Sequence, residues 1–152
     1  MDQVRSIEEM RRVLTTQGGV ALVEYLNNGV PHRYTAVYRQ TGSILHNVLF
    51  HDKERKRRPA HLALIPYAHS YCQFVVRGGE FRTDDSISDA RLLGHPLRTF
   101  VMSYHSVPIL DSRESFWGTL SHFDVRPLSL PESEYELLRS AAGLLTCTRL
   151  LT

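Results

Sequence analysis

TFVMSYHSVPILDSRESFWGTLSHFDV, residues 99–125, is the stretch that decides the fold. Two runs rich in β-branched and aromatic residues, Thr99 to Pro108 and Phe116 to Val125, flank the polar pentapeptide Asp111 to Ser115. β-Branched and aromatic side chains suit a pleated, half-buried surface, and Asp and Ser supply turn chemistry. The pattern therefore predicts two strands joined by a polar turn. Side chains alternate along a strand, so Tyr104 and His105 point to opposite faces, as do Ser121 and His122.

Working outward, Arg33 to Arg39 is rich in β-formers and alternates. Gln40 to Ser43 is a turn, and Ile44 to Phe50 reads as the returning strand of a hairpin. The segment His61 to Val76 keeps no clear period between helix and strand, and Gly78-Gly79 ends it. Phe81 to Asp85 is a short strand. Ser86 to Leu93 reads as a helical turn capped by Ser86 or Ser88 and stopped at Gly94.

At both ends the period changes to that of a helix. Ser6-Ile7-Glu8-Glu9 is a capping box, with Ile7, Met10, Val13 and Leu14 on one face and Gly18-Gly19 as stop. Val20 to Asn27 forms a second helix on Leu22, Val23 and Leu26. Ser129-Leu130-Pro131-Glu132 opens the last, with proline and acid in its first turn. Leu138, Ala142 and Leu145 mark its inner face, widened by Leu137, Ala141 and Leu144. Helices at both ends of an antiparallel meander imply an α+β layer with five or six strands and the terminal helices on one face. One domain is expected over residues 1–152: helices in 1–28, sheet and connecting helices in 33–125, and a C-terminal helix in 130–150.

The 42% apolar content of the 152 residues is enough for an ordinary core, and no run of about eighteen apolar residues offers a membrane span. The charged start MDQVRSIEEMRR lacks an apolar signal core, and two cysteines make no disulfide framework. A cytoplasmic protein is expected. Eighteen basic against sixteen acidic residues are too balanced to argue for nucleic acid. The basic run Lys53 to Arg58 has no interleaved aromatics to stack on bases and reads as a solvated loop.

Ser70-Tyr71-Cys72, Asp84-Asp85, Asp89-Ala90-Arg91, His95-Pro96, Ser103-Tyr104, Val107-Pro108-Ile109 and Trp117 to Asp124, taken in order and spacing, resemble the GAF family, and Leu130 to Leu145 looks like its C-terminal helix. The resemblance spans roughly residues 20 to 146. It implies a pocket on the sheet face opposite the terminal helices, which in relatives holds cyclic nucleotides, bilins, haem, amino-acid-like ligands or nothing. It leaves the cofactor unknown. The resemblance further implies that Asp84, Asp85, Asp89, Arg91 and His95 border the pocket mouth, with Tyr71, Phe74, Phe81, Tyr104 and Trp117 as walls and His122 inward in one register. A carboxylate and a guanidinium there suit a small zwitterionic or anionic ligand. The competing reading makes Asp84 and Asp85 caps and Asp89 a partner of Arg91 or His95.

One branch of the family reduces free methionine sulfoxide with several cysteines. Here His105 and Ser121 stand on strands where such relatives carry cysteine, and Cys72 alone remains nearby. Cys72 reads as a small buried hydrophobe or a redox-responsive thiol, and Cys147 as structural. His95, His105 and His122 lack the helical i,i+4 spacing of a dedicated metal site, and no metal is expected. No triad, Walker loop or zinc signature is present, and no catalytic residue is assigned. The expected function is a stand-alone sensor or dimerising module that binds an unidentified small molecule and has no catalysis of its own. The alternative is the reductase. Wide apolar stripes on the first and last helices predict a homodimer.

Overall fold

The computed structural model describes residues 5–147. Six strands form one antiparallel sheet in the order β3-β2-β1-β6-β5-β4. They are β1 Tyr34–Thr41, β2 Ile44–Asp52, β3 Leu64–Pro66, β4 Phe81–Thr83, β5 Ser103–Leu110 and β6 Phe116–Asp124. The two strands of the 99–125 segment lie side by side inside the sheet, with β6 also pairing β1. The hairpin of β1 and β2 turns on Gly42-Ser43, where Gly42 has φ +60°, a conformation glycine adopts without steric cost.

Four helices flank the sheet: α1 Ile7–Gln17, α2 Gly19–Asn27, α3 Cys72–Gly78 and α4 Glu132–Thr146. Helices α1, α2 and α4 share one face, where Met10, Leu22, Leu26, Leu138 and Leu145 pack on Val37, Leu120 and Val107, a row of cross-strand partners. Helix α3 and the connecting turns cover the other face, on Tyr34, Ala36, Tyr38, Tyr104 and Phe123. The Ser6 hydroxyl accepts from the Glu9 amide at 3.2 Å, as the capping box requires. No described helix is long and apolar enough to cross a membrane.

Gly118 is fixed by its neighbours. A Cβ there would sit 1.9 Å from the carbonyl oxygen of Tyr38, so β1 approaches β6 as closely as it does because residue 118 has no side chain. Beside it the ladder slips: Ile109 pairs with Gly118 but Leu110 pairs with Phe116, and Trp117 is the extra residue of a bulge.

Several boundaries differ from the sequence expectation, each for a local reason. Strand β5 starts at Ser103 instead of Thr99, because the Leu97 carbonyl accepts from the amides of Phe100 and Val101 and closes a turn. The turn expected over Ser86 to Leu93 contracts to a 3₁₀ turn, Ala90–Leu92, whose cap is Asp89. Ser86 donates its hydroxyl to the Arg98 carbonyl at 2.6 Å instead of capping. The undecided stretch from His61 to Val76 becomes two 3₁₀ turns, Ala60–Leu62 and Tyr67–His69, with β3 between them and α3 after. Helix α4 begins at Glu132, so Ser129 stays outside it. Residues 148–150, expected in that helix, lie outside the described residues.

Candidate functional site

Strand parity builds the face opposite the terminal helices. Tyr34, Phe123 and Tyr104 are Cα partners across β1, β6 and β5, and Ala36, Ser121 and Ser106 form the next row. Cys72 and Val75 bring α3 down onto this floor. The 84–102 strap, one 3₁₀ turn in a long connection, roofs it with Leu92, Leu97 and Val101.

Six of the eight expected ligand residues come together here. The Tyr71 ring lies 4.6 Å from His95, 5.2 Å from Tyr104 and 6.1 Å from Phe81, centroid to centroid. The Arg91 guanidinium sits 4.5 Å over the Phe81 ring, and Asp89 takes it in two hydrogen bonds. Trp117 and His122 are not part of this group. His122 shares the parity of Leu120 and faces the terminal helices, while the bulge turns Trp117 to that same side.

These contacts are internal. Asp89 also accepts from the Arg91 amide, and Asp85 accepts from the Ile87 amide, so both carboxylates cap the strap. The Arg91 guanidinium lowers the Asp89 carboxyl below its ordinary range, with the opposing effect of burial smaller. His95 accepts from the Leu97 amide on Nδ1 at 3.1 Å, which leaves Nε2 to donate to the Ser70 carbonyl at 3.2 Å. That pattern needs a neutral ring, and burial depresses its pKa accordingly. Tyr71 donates to the Val101 carbonyl at 2.9 Å, and burial pushes its phenol up to about 12.

What remains between them is small. The cavity lined by Tyr38, Tyr71, Cys72, Leu97, Val101, Tyr104 and Phe123 has about 30 Å³ open to the centre of a water-sized sphere. One water needs roughly 10–15 Å³ on that measure. The aromatic side chains expected to wall a pocket fill it instead. Sequence reasoning missed Tyr38, Val101 and Phe123. The alternation Tyr34, Ala36, Tyr38 carried the signal for the first.

Cys72 Sγ is buried 3.2 Å from Thr119 Oγ1 and 3.5 Å from the Tyr104 hydroxyl, and burial raises its thiol pKa. Cys147 is exposed at the end of α4, in the layer on the opposite sheet face. Outside the aromatic cluster, an open hollow of about 590 Å³ runs past Arg82, Asp84, Asp85, Asp89 and Arg91, with His105 among its lining residues. Among the described residues, no group of three His, Cys, Asp or Glu side chains is placed to hold a metal ion.

A second polar cluster lies on the helix side of the sheet. His32, His105 and His122 are buried there with Asn27 and Thr35. Burial lowers His32 to about 3, helped by the neighbouring His105, and depresses His122 well below its ordinary value. His105 is lowered less, because Asp84 opposes its burial. Sequence reasoning missed His32, since its partner His105 is 73 residues away.

No family model and no curated protein matches the chain. Solved structures do. A type II free methionine-R-sulfoxide reductase from Thermoplasma acidophilum superposes with a TM-score of 0.67 at 17% identity, over 93% of this chain and 93% of its own. The GAF domain of an Acinetobacter phosphoenolpyruvate-protein phosphotransferase gives 0.72 at 11% identity, over 92% and 87%. A phycoerythrobilin-bound GAF domain of a cyanobacterial phytochrome gives 0.71 at 14% identity, over 95% and 96%. Identities this low report on fold alone. The chain has a GAF-like fold.

Proposed function

We propose that this GAF-fold chain is a regulatory module that works through protein contact, with its pocket face packed shut and no chemistry of its own. The observation that carries this is the cavity of about 30 Å³. Pockets for small molecules run to roughly 300–1,000 Å³. Admitting such a ligand requires moving Tyr71 and Tyr104, both buried and both hydrogen-bonded. Asp89 and Arg91 of the strap pair with each other, and Asp85 and Asp89 accept from backbone amides.

The reductase neighbour suggests thiol chemistry as the other reading, and the thiols weigh against it. Cys72 is buried with a raised pKa, which keeps it a thiol at neutral pH. Cys147 belongs to the layer across the sheet and is no resolving partner for it.

The contact surface we favour is the outer side of α1 and α4, joined to a second copy of the chain. Ile7 is 40% exposed there, and Leu14, Leu137 and Leu144 are half-buried. Leu138 and Leu145 are core and do not reach that surface. Sedimentation at tens of micromolar tests this, with Ile7→Asp as the probe: a dimer that the substitution dissociates, with the melting temperature kept, is expected. A monomer at that concentration refutes the self-contact. A screen of small polar and aromatic metabolites by thermal shift tests the closed pocket, and a saturable rise of several degrees refutes it.

A further inference from the structure

Three histidines are sealed between the sheet and the terminal helices, on the side away from the aromatic face. His32, His105 and His122 are each at most 1% exposed. His105 and His122 are cross-strand partners on β5 and β6, and Thr35 faces His122 from β1. His32 sits in the turn between α2 and β1, and Asn27 ends α2.

Asp84 orders the protons along one side of the cluster. Asp84 as a carboxylate only accepts, so His105 Nε2, 2.7 Å away, carries a hydrogen. His105 Nδ1 is then bare and accepts from His32 Nε2 at 3.1 Å. His32 Nδ1 must therefore be bare as well. On the other side, Thr35 Oγ1 accepts from Asn27 Nδ2 at 2.9 Å and lies 2.6 Å from His122 Nδ1, a hydrogen bond that either tautomer of His122 can make. Neither His32 Nδ1 nor His122 Nε2 has a hydrogen-bond partner in the protein, although the two rings lie 5.7 Å apart.

An added proton charges a ring that is sealed from water. On His32 Nδ1 it puts a cation beside the buried His122 ring. On His105 Nδ1 it sets one donor against another. From the loop after β4, Asp84 is the carboxylate in contact with the rings, and its side chain is 64% exposed. Arg82 of β4, Arg5 before α1, Lys53 after β2 and Arg126 after β6 add positive potential to the cluster. Arg82 is paired with Glu132, Arg5 with Glu134, and Arg126 with Asp124, the buried carboxylate of β6 that accepts from the Arg33 amide. Tyr135 of α4 meets His105 edge-on and gives its hydroxyl to the carbonyls of Phe81 and Ser106.

We propose that Asp84, His105, His32 and His122 form a proton-triggered switch, which locks the 27–33 turn and the Asp84 loop onto the sheet at neutral pH and releases both when protons are taken up. Opening hydrates His32 and His105 and returns them to the ordinary histidine range near 6.5. Between pH 8 and pH 5, one such histidine raises the open-to-closed ratio about thirtyfold, and a second multiplies it by up to the same factor. The released turn belongs to the helical side, and the Asp84 loop is where the 84–102 strap begins.

Hydrogen–deuterium exchange of the full chain between pH 8 and pH 5, normalised for intrinsic exchange, is the test. Opening constants for 27–35 and 81–86 are expected to rise at least a hundredfold, against less than threefold for the 36–50 hairpin and α3. His32→Gln keeps a donor toward His105 Nδ1 and removes one titrating group, so the slope of log opening constant against pH should fall by about one proton. Should that variant not fold, Asp84→Asn, at an exposed position, serves instead. It weakens a charge-assisted hydrogen bond and should raise opening of 27–35 at pH 8 by roughly tenfold. A rise shared equally by both layers, an unchanged slope in His32→Gln, or unchanged opening in Asp84→Asn overturns the proposal.

Discussion

Replacing Gly118 by alanine adds one methyl group where β6 passes β1. That Cβ would lie 1.9 Å from the Tyr38 carbonyl oxygen and 3.0 Å from its carbon, while real Cβ atoms essentially never come within 3.0 Å of such a neighbour. The obstacle is backbone on both sides, so the strands must part by about 1 Å. A ladder hydrogen bond stretched that far is no longer made. Losing two costs about 2 kcal/mol, and the overpacking adds about 1–3 kcal/mol. The sum, about 3–5 kcal/mol, lowers the Tm of a chain this size by roughly 6–20 °C. Gly143→Ala is the control, because a Cβ in that turn of α4 meets nothing within 4 Å. There the change should stabilise by about 0.5–1 kcal/mol through helix propensity and the lost flexibility of the unfolded chain. Thermal melts followed by circular dichroism compare the two. A Gly118→Ala protein melting within 2 °C of the parent would refute the close approach of β1 and β6.

Other outcomes follow from the same packing. Tyr71→Ala removes a side chain that is 1% exposed and should cost about 3–5 kcal/mol in urea unfolding, and a loss under 1 kcal/mol would contradict the filled aromatic face. A thiol reagent should titrate Cys147 at once and Cys72 only after denaturation, since the first is exposed and the second buried; two fast thiols in the native protein would contradict that. His32, His105 and His122 all have pKa values lowered by burial. Their contribution is therefore complete above the unfolded histidine pKa near 6.5 and is lost as the pH falls below it. His32 and His122 together should make unfolding at pH 5.5 cost about 2 kcal/mol less than at pH 6.5, with His105 adding to that, measured in urea by Trp117 fluorescence, and a flat profile would show that these rings are charged in the folded chain.

The fold was largely legible because its strongest signals are local. Alternation named both strands of 99–125 and the hairpin before them, and caps with glycine stops bounded α1. Where the reading failed, a long-range or backbone cause can be named. Parity alone puts Trp117 with Thr119, and a bulge opposite Ile109 and Leu110 reverses it. Phe100 and Val101 have strand composition but follow a turn closed on the Leu97 carbonyl. The aromatic cluster was visible as a set of residues, yet whether Tyr71, Phe81 and Tyr104 wall a space or fill it depends on distances of a few ångströms that no pattern encodes. The histidine cluster was invisible for a different reason. It unites residues 27, 32, 35, 84, 105 and 122, which share no spacing and meet only when β1, β6 and β5 are laid side by side.

The most direct test of the closed, contact-making module is native mass spectrometry of the protein purified from its own host. At tens of micromolar, the mass of a protein-only dimer is expected, with no retained small molecule. A stoichiometric adduct that is lost on denaturation would contradict it, whether it sits in the aromatic face, closed to about 30 Å³, or in the open hollow of about 590 Å³ past Arg82 and Arg91.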